Sequence, residues 1–376
     1  MLSTSIGGIT LDCCIYNASG PKTGHVSDLV NISKSASGAV LSKSATLKSQ
    51  RGNELPRLQK IELAKNTSSI NSEGLPNSGI DYFIGEKVVS AVAQGGKPYI
   101  VSISGLKLEN NLEMLTRIAN AKLEGAAISA VELNLACPNI PGKPTIAYDF
   151  DQMKTILAQV TSHSKLLQSG LPLGIKLAPY FDMPHYAMAA EIINAYKDRI
   201  RFVVAINTIG NALHVDGHKE MACIAPKSGF GGLGGGLVKQ VALANVRQLS
   251  QRLDPAIDII GVGGVSSGMD AFELILCGAS AVQVATCHWL EGPACFGRIS
   301  KELCGIMKKK GYSSIQDFKG KLKDFDRKLT KAAIDGSEEA TSSPSSSISL
   351  VSLPWVLLAI MVPILAVLLQ REFMRQ

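Results

Sequence analysis

The sequence predicts an α/β fold, a (β/α)8 TIM barrel with inserted cover loops, followed by a C-terminal transmembrane helix. Eight short apolar runs alternate with helix-length segments, a pattern typical of strands that are buried on both faces of a parallel sheet. The runs span residues 15–18, 39–42, 99–103, 131–135, 173–177, 202–206, 257–262 and 281–285. Helices are predicted at residues 109–123, 150–168, 184–197, 237–252 and 269–276.

Almost every apolar run has polar side chains or glycines at or just after its end. They are Asn17, Lys43, Ser102, Asn134, Lys176, Asn207, the pair Gly263-Gly264 and Thr286. In a barrel the carboxyl ends of all eight strands converge on one face, where active sites lie. A doubly wound sheet would spread these groups along a line and leave several of them without a ligand. The strand ends therefore favour a barrel.

The composition narrows the class of protein. The chain has 376 residues, of which 46% are hydrophobic and 35 are glycine, which suits one large α/β domain with tight turns. Its net charge of +7 is scattered and its aromatic content is only 5%, so nucleic-acid binding has little support. The eight cysteines form no CxxC pair, and no histidine spacing completes a zinc site. We expect free thiols in a reducing compartment and no metal.

Two segments look like insertions, and the chain changes character near its end. Residues 45–85 and 213–236 are rich in turn-forming residues, and we interpret the first as an ordered loop that covers the site. The predicted barrel domain covers residues 1–325, and residues 326–347 form a polar, flexible linker.

Residues 348–370 are predicted to be a transmembrane anchor. The stretch 348–369 carries no charge and, as a helix, would reach about 33 Å, enough for a bilayer core of roughly 30 Å. The alternative is an amphipathic helix packed on the barrel. The first interpretation predicts a cytoplasmic catalytic domain that is tail-anchored to an intracellular membrane.

Cys137 stands where the fourth apolar run becomes a loop, with Asn134 before it and Asn139 after it. Two amides can bind a planar polar substrate through donors and acceptors, and a thiol can act as nucleophile or base. An isolated cysteine at such a position is more often a buried structural residue.

Lys43, Lys176 and Lys227 are candidate cations near the site. A buried lysine needs an anionic or electron-rich partner, and a flavin, whose reduced form carries negative charge, is such a partner. The glycine pair at 263–264 and the dipeptide Ala285-Thr286 follow the last two strands, where barrels commonly bind phosphate. Glycines there also serve tight turns, so this signal by itself is weak.

Several ordered motifs together resemble one family. They are Asn17-Ala18-Ser19-Gly20, Ser42-Lys43-Ser44-Ala45-Thr46, Ser69-Ile70-Asn71-Ser72-Glu73-Gly74-Leu75-Pro76-Asn77, Glu132-Leu133-Asn134-Leu135-Ala136-Cys137-Pro138-Asn139, Ile206-Asn207-Thr208-Ile209-Gly210-Asn211, Phe230-Gly231-Gly232 and Gly263-Gly264. Across residues 3–325 the sequence resembles the class 1A, fumarate-linked dihydroorotate dehydrogenases.

The resemblance implies an FMN-dependent oxidoreductase of pyrimidine (UMP) biosynthesis that oxidises (S)-dihydroorotate to orotate. Cys137 matches the base that removes the C5 proton while hydride leaves C6 for the flavin, and fumarate then reoxidises the flavin and becomes succinate. The matching substrate-binding residues are Lys43, Asn71, Gly74, Leu75, Asn134, Asn139, Asn207 and Thr208. The matching cofactor-binding residues are Ala18, Ser19, Gly20, Lys43, Ser44, Ser102, Asn134, Lys176, Ile206, Gly234, Gly235, Gly263, Gly264, Ala285 and Thr286. Such enzymes are homodimers.

The chain departs from the family pattern at four residues and in its tail. Ala136 and Thr208 stand where the family usually has serine, and Ala285 stands for a usual glycine at the phosphate end. Glu73 replaces a usual methionine in the cover loop, and we expect little effect because that loop acts mostly through its backbone. Two alternatives stay open: a membrane quinone as electron acceptor, or a catalytically inactive barrel tethered to a membrane.

Overall fold

The computed structural model describes residues 1–63, 66–136 and 145–325. In these ranges the strands are β1 (Thr4–Ile6), β2 (Ile9–Leu11), β3 (Ile15–Asn17), β4 (Val40–Leu41), β5 (Leu58–Leu63), β6 (Asn66–Asn71), β7 (Tyr99–Ile103), β8 (Ala130–Asn134), β9 (Leu173–Leu177), β10 (Ile200–Ala205), β11 (Ile209–Leu213), β12 (Val215–Asp216), β13 (Met221–Ala222), β14 (Phe230–Gly235), β15 (Asp258–Val262) and β16 (Ala281–Val284).

The α-helices in the same ranges are α1 (Val26–Ser33), α2 (Ile80–Ile84), α3 (Glu86–Ala93), α4 (Leu108–Leu123), α5 (Phe150–Thr161), α6 (Ser164–Ser169), α7 (Met183–Asn194), α8 (Lys239–Ser250), α9 (Gly268–Cys277), α10 (Thr286–Glu291) and α11 (Ala294–Lys310). Short 3-10 turns occupy Pro21–Thr23, Ile146–Tyr148, Pro226–Gly229, Gly236–Val238 and Ile315–Asp317.

Eight parallel strands form a nearly closed barrel in the order β3-β16-β15-β10-β9-β8-β7-β4. All eight predicted apolar runs are barrel strands, so the predicted barrel is confirmed. The seam between β3 and β4 is bridged by the Asn17 amide, which donates to the Leu41 carbonyl at 2.7 Å and accepts from the Leu41 N–H at 2.9 Å. Gly38 also donates its N–H to the Ile15 carbonyl at 2.8 Å. A Cβ at Gly38 would lie 1.7 Å from the Cys13 carbonyl oxygen, so only glycine permits this close approach.

Alternation of side chains along the strands divides the buried residues into two layers. Residues such as Leu41, Ile100, Val204 and Ile260 fill the barrel interior, and the β1–β2 hairpin contributes Ile6 to the same cluster. Residues of the opposite strand faces pack against the surrounding helices in a larger cluster. The interior positions nearest the carboxyl ends are polar, and they become the floor of the site.

The two predicted insertions pair with each other, which the sequence did not predict. They contribute β5 and β6 from one insertion and β14 from the other, and with β11 these strands form a four-stranded antiparallel sheet in the order β11-β14-β6-β5. Asn71 of β6 lies opposite Gly232 of β14. The first insertion is therefore ordered, as expected, but about a third of it, residues 58–71, is a hairpin rather than a loop. This sheet is called the cover sheet below.

The helix predicted at 150–168 is wrong in its continuity, because α5 ends at Thr161 and α6 begins at Ser164. The Thr161 and Ser162 hydroxyls bond back to helix carbonyls, which weakens continuation of a helix. The His163 ring then accepts a hydrogen bond from the Leu166 N–H at 3.2 Å and caps the new helix.

None of the helices in the described ranges combines the length and apolar character needed to cross a bilayer. The predicted linker at 326–347 and the predicted anchor at 348–370 lie outside the described residues.

Candidate active site

One open cavity with two adjoining lobes lies where the barrel strands end. The first lobe contains about 790 Å³ of atom-free space and the second about 550 Å³, part of it open to solvent. Both lobes are lined by Ser19, Lys176, Asn207, Thr208, Ala285 and Thr286. The first is also lined by Gly20, Pro21, Lys43, Ser44, Leu58, Ser69, Asn71, Glu73, Gly74, Leu75, Asn134 and Trp289. The second is also lined by Ala18, Ile206, Gly234, Gly235, Val238, Val262, Gly263, Gly264, Val265 and Gln283.

Two side-chain amides stand together in the wall of the first lobe. Asn134, the last residue of β8, accepts hydrogen bonds at its Oδ1 from the Ala136 N–H at 3.0 Å and from the Asn207 amide at 3.2 Å. Asn207 follows β10, and its own Oδ1 accepts from the Thr208 N–H at 2.8 Å. These bonds fix the orientation of both amides, so the wall offers preorganised polar groups.

A chain of hydroxyls supports the amides. The Ser44 Oγ lies 3.1 Å from the Ser19 Oγ and 2.9 Å from the Ser102 Oγ, and it accepts from the Asn134 amide at 3.3 Å. Ser102 is fully buried and is absent from the lining of both lobes. It therefore acts on the cavity through Ser44.

A buried charged pair lies at the base of the cavity. Lys176 is 5% exposed and lines both lobes, and among the residues that the structure describes its ammonium has no hydrogen-bond acceptor. Burial lowers the pKa of Lys176, and the nearby Glu132 carboxylate counteracts that shift. Burial likewise raises the pKa of Glu132, against the opposing effects of Lys176 and of the hydrogen bond from Gln283. The barrel thus holds a cation that faces the cavity and a counter-charge inside its core.

A second cation meets an anion in the first lobe. The Lys43 Nζ lies 2.5 Å from the Glu73 Oε2, and Lys43 is only 7% exposed. Lys43 follows β4, whereas Glu73 belongs to the cover loop that follows β6. The contact therefore joins the barrel floor to the cover.

The cover sheet closes over the same cavity. Ser69 of β6 faces Thr286, with 3.0 Å between their hydroxyl oxygens, and Asn71 donates to the Gly232 carbonyl at 3.1 Å. Beyond β6, Gly74 has a φ of 67°, a conformation that favours glycine, and a Cβ there would lie 2.3 Å from the Asn53 side-chain oxygen. This turn brings residues 73–75 to the cavity.

The arrangement can bind a planar polar ligand with at least one negative charge. It combines amides, hydroxyls, two lysines and exposed glycine backbone around one space. Cys137 and Asn139 lie outside the described residues, but Ala136, whose N–H is held by Asn134, immediately precedes Cys137. A family model described as dihydroorotate dehydrogenase matches residues 1–307.

The chain belongs to the dihydroorotate dehydrogenase family.

Curated relatives place the chain in class 1A of that family, so it is an oxidoreductase. It is 45% identical over 328 residues to a protein of Lactococcus lactis subsp. cremoris (strain MG1363) named "Dihydroorotate dehydrogenase A (fumarate)". That match covers 86% of this chain and 100% of the relative. It is 44% identical over 323 residues to a "Probable dihydroorotate dehydrogenase A (fumarate)" of Streptococcus pneumoniae serotype 4, covering 86% and 98%.

A solved dihydroorotate dehydrogenase has the same fold. The crystal structure of the Eimeria tenella enzyme in complex with ferulenol matches with a TM-score of 0.68 at 22% sequence identity. The match covers 85% of this chain and 88% of that chain. At 22% sequence identity this similarity is evidence for the fold alone.

The structure brings nearly all of the described candidate residues for this dihydroorotate dehydrogenase to one cavity. Those that line it are Ala18, Ser19, Gly20, Lys43, Ser44, Asn71, Gly74, Leu75, Asn134, Lys176, Ile206, Asn207, Thr208, Gly234, Gly235, Gly263, Gly264, Ala285 and Thr286. Ser102 lies behind the lining, and Lys227, in the turn Pro226–Gly229, is outside it.

Sequence reasoning missed several lining residues. Ser69 lies two residues before Asn71 on β6, so alternation along a strand would have found it once the hairpin was recognised. Trp289 lies three residues after Thr286 in α10, a helical spacing that places both on one side. Gln283 lay inside a run interpreted only as a strand, although a polar residue in a barrel interior is itself a signal. Glu73 was noted, but its side chain contacts Lys43, contrary to the expected backbone role.

Proposed function

We propose that this enzyme oxidises (S)-dihydroorotate to orotate in pyrimidine biosynthesis, with bound FMN and with fumarate as the electron acceptor. The carrying observation is that Lys43, Asn71, Asn134 and Asn207, which come from four separate segments, line one lobe beside the residue that precedes Cys137. The names of the curated relatives support the donor and the acceptor.

FMN fits the residues that are present. The second lobe is walled by glycine backbone, and a Cβ at Gly234 would come within 3.3–3.5 Å of Ser69, Thr208 and Thr286 and narrow the space. Backbone N–H groups at Gly263 and Gly264 are suited to the phosphate, and Lys176 supplies a cation without another hydrogen-bond acceptor among the described residues. When bound, FMN supplies the acceptor for the hydride that leaves C6.

The protein's own residues bind and orient the substrate. Asn71, Asn134 and Asn207 provide amide donors and acceptors for the pyrimidine ring, which presents both kinds of group. Lys43 provides the positive charge for the substrate carboxylate. Asn139 is assigned to the same ring, but it lies outside the described residues.

Cys137 is the proposed base for the C5 proton. A thiol is suited to this role when its environment favours the thiolate near the working pH. The hydrogen bond from the Ala136 N–H to Asn134 ties the chain next to Cys137 to the amide that would hold the substrate. Loss of the C5 proton to the thiolate and of the C6 hydride to the cofactor converts the C5–C6 single bond into the double bond of orotate.

The decisive experiment is the visible spectrum of the purified protein under anaerobic conditions. We expect flavin absorbance that bleaches on addition of dihydroorotate and returns on addition of fumarate. A colourless preparation that binds no added FMN would support the inactive barrel instead. Stopped-flow reoxidation separates the acceptors: rapid recovery with a short-chain quinone and none with fumarate would contradict the fumarate assignment.

We also propose that the enzyme is a homodimer. A group of apolar side chains is 41–56% exposed on the strands around the second insertion: Leu213, Val215, Met221 and Phe230. Leu213 lies opposite Phe230, so two of them form one patch on β11 and β14. Light scattering coupled to size exclusion tests this, and Phe230→Asp should shift a dimer towards monomer, with the equally exposed Met188→Asp as control.

For the tail we propose the membrane anchor at 348–370 on the basis of its uncharged stretch 348–369. Deleting residues 340–376 should release an active enzyme from the membrane fraction. Persistent membrane association of the truncated enzyme would show that another part of the chain is the anchor.

A further inference from the structure

The cavity contains a carboxylate of the protein itself, Glu73, which is paired with Lys43, the cation proposed to bind the substrate carboxylate. Glu73 is the one acidic residue in the described lining of the first lobe, and it sits 2.5 Å from the Lys43 ammonium. The side chains of Lys43 and Glu73 are 8% and 18% exposed, so solvent screens this pair less than a surface ion pair. An incoming carboxylate must therefore share or displace Glu73.

The backbone around Glu73 is held in place by the segment before β5. The Glu73 carbonyl accepts from the Asn53 N–H at 2.8 Å, and the Asn53 amide donates to the Ser72 carbonyl at 2.8 Å. The Gln50 amide donates to the Gly74 carbonyl at 2.5 Å. With both neighbours tied, the side chain of residue 73 can reach Lys43 without a change in the loop.

The other cation of the described lining is already balanced. Lys176 faces the cavity from the barrel core, where the buried Glu132 provides its counter-charge. Since Lys176 is assigned to the flavin, Lys43 is the cation on which a substrate carboxylate depends. The ion pair with Glu73 weakens the attraction of Lys43 for an anionic ligand before any ligand binds.

We propose that Glu73 is a specificity-determining residue that competes with ligand carboxylates for Lys43 and weakens the binding of dicarboxylates more than that of monocarboxylates. The proposal rests on the proposed function, in which the donor dihydroorotate carries one carboxylate and the acceptor fumarate carries two. The interaction of a fixed charge with a ligand scales with the charge of the ligand. Because the second carboxylate lies farther from Glu73 than the first, Glu73 penalises the acceptor more strongly than the donor, by up to about twofold on a free-energy scale.

Removal of this charge should change the two half-reactions unequally. In Glu73→Gln we expect the KM for dihydroorotate to fall about fivefold and the KM for fumarate to fall further, by about 10- to 25-fold, with kcat changed less than about twofold. Glu73→Met provides a second uncharged variant in case the glutamine folds poorly. Glu62→Gln is the matched control, because it removes the same charge from an exposed ion pair with Lys60 on the neighbouring strand β5.

A binding measurement separates this proposal from the assigned reaction. Calorimetric titration of the oxidised holoenzyme with orotate and with fumarate should show the same unequal gain in affinity for both uncharged variants. Equal gains for the two ligands, no gain, or an equal effect in Glu62→Gln would overturn the role of Glu73. If dihydroorotate fails to bleach the wild-type flavin, the proposed function fails, whereas the unequal gain towards dicarboxylates remains measurable.

Discussion

Gln283 donates a hydrogen bond of 2.8 Å to the Glu132 carboxylate across the interior of the barrel. The two residues belong to strands that are not neighbours, β16 and β8, and both are fully buried. Within the described chain the second carboxylate oxygen of Glu132 has no hydrogen-bond partner. Burial raises the pKa of Glu132, and Lys176 and Gln283 oppose that shift, so the charge state of Glu132 is coupled to Lys176 beneath the cavity.

Removing the positive charge of Lys176 and removing the negative charge of Glu132 should move the reduction potential of bound flavin in opposite directions. Reduced flavin carries negative charge, so Lys176→Met should lower the two-electron potential and Glu132→Gln should raise it. We expect changes of tens of millivolts, since about 30 mV corresponds to 1.4 kcal/mol for two electrons. Redox titration against reference dyes measures both. Shifts of the same sign would contradict a charged Glu132–Lys176 pair.

Replacement of the proposed base should slow chemistry without loss of cofactor. In Cys137→Ala we expect FMN to stay bound while flavin reduction by dihydroorotate slows by roughly 10²- to 10⁴-fold, the usual range for loss of a general base. Stopped-flow absorbance under anaerobic conditions measures the step. Cys223→Ala, a half-buried free cysteine outside the cavity lining, is the control and should keep the wild-type rate. Near-normal reduction in Cys137→Ala would remove Cys137 from the mechanism.

Loss of one wall amide should reduce transition-state binding. Asn207→Ala removes a group that lines both lobes and also frees the Asn134 oxygen from one of its donors. We expect kcat/KM for dihydroorotate to fall about 10- to 100-fold, in line with the roughly 1–3 kcal/mol that it costs to leave a buried polar group of the substrate without its partner. Asn194→Ala, which breaks bonds to residues 252 and 254 instead, should lower stability and leave kcat/KM within about twofold. Equal effects in both variants would indicate a structural role for Asn207.

His288 should make the stability of the fold depend on pH. Burial beside Phe296 lowers the pKa of His288 from 6.5 to about 4; the nearby Asp28 carboxylate opposes this shift and the Lys22 ammonium adds to it. Between these values the unfolded chain binds a proton that the folded chain does not, so the free energy of unfolding falls as pH drops through this window. Once the pH is below both pKa values, the free energy of unfolding has fallen by roughly 3 kcal/mol.

Urea unfolding of the holoenzyme between pH 7 and 4 measures this effect. His288→Leu should flatten the pH dependence, because it removes the buried imidazole. An identical slope in the wild type and in His288→Leu would assign the pH dependence to other groups.

The barrel and the composition of its mouth were predictable from the sequence for a local reason. A strand buried on both faces must be apolar over a short run, and in a parallel barrel its last residue must face the site. Lys43, Asn134, Lys176 and Asn207 each stand at or just after the end of such a run, and all four line the cavity. The ordered motifs then indicated the family, which the family model and the curated relatives confirm.

The strand pairing of the cover sheet and the partners of the charged residues could be known only from the tertiary structure. The strands β6 and β14 are polar and glycine-rich, so neither shows an apolar alternation, and their hydrogen bonds join segments about 160 residues apart. The contacts of Glu73 with Lys43 and of Glu132 with Gln283 likewise depend on distances between elements that are remote in sequence. Residue type and spacing determined which groups reach the mouth of the barrel. Which of those groups neutralise one another was decided only when the chain closed, because electrostatic interaction depends on separation in space and on burial.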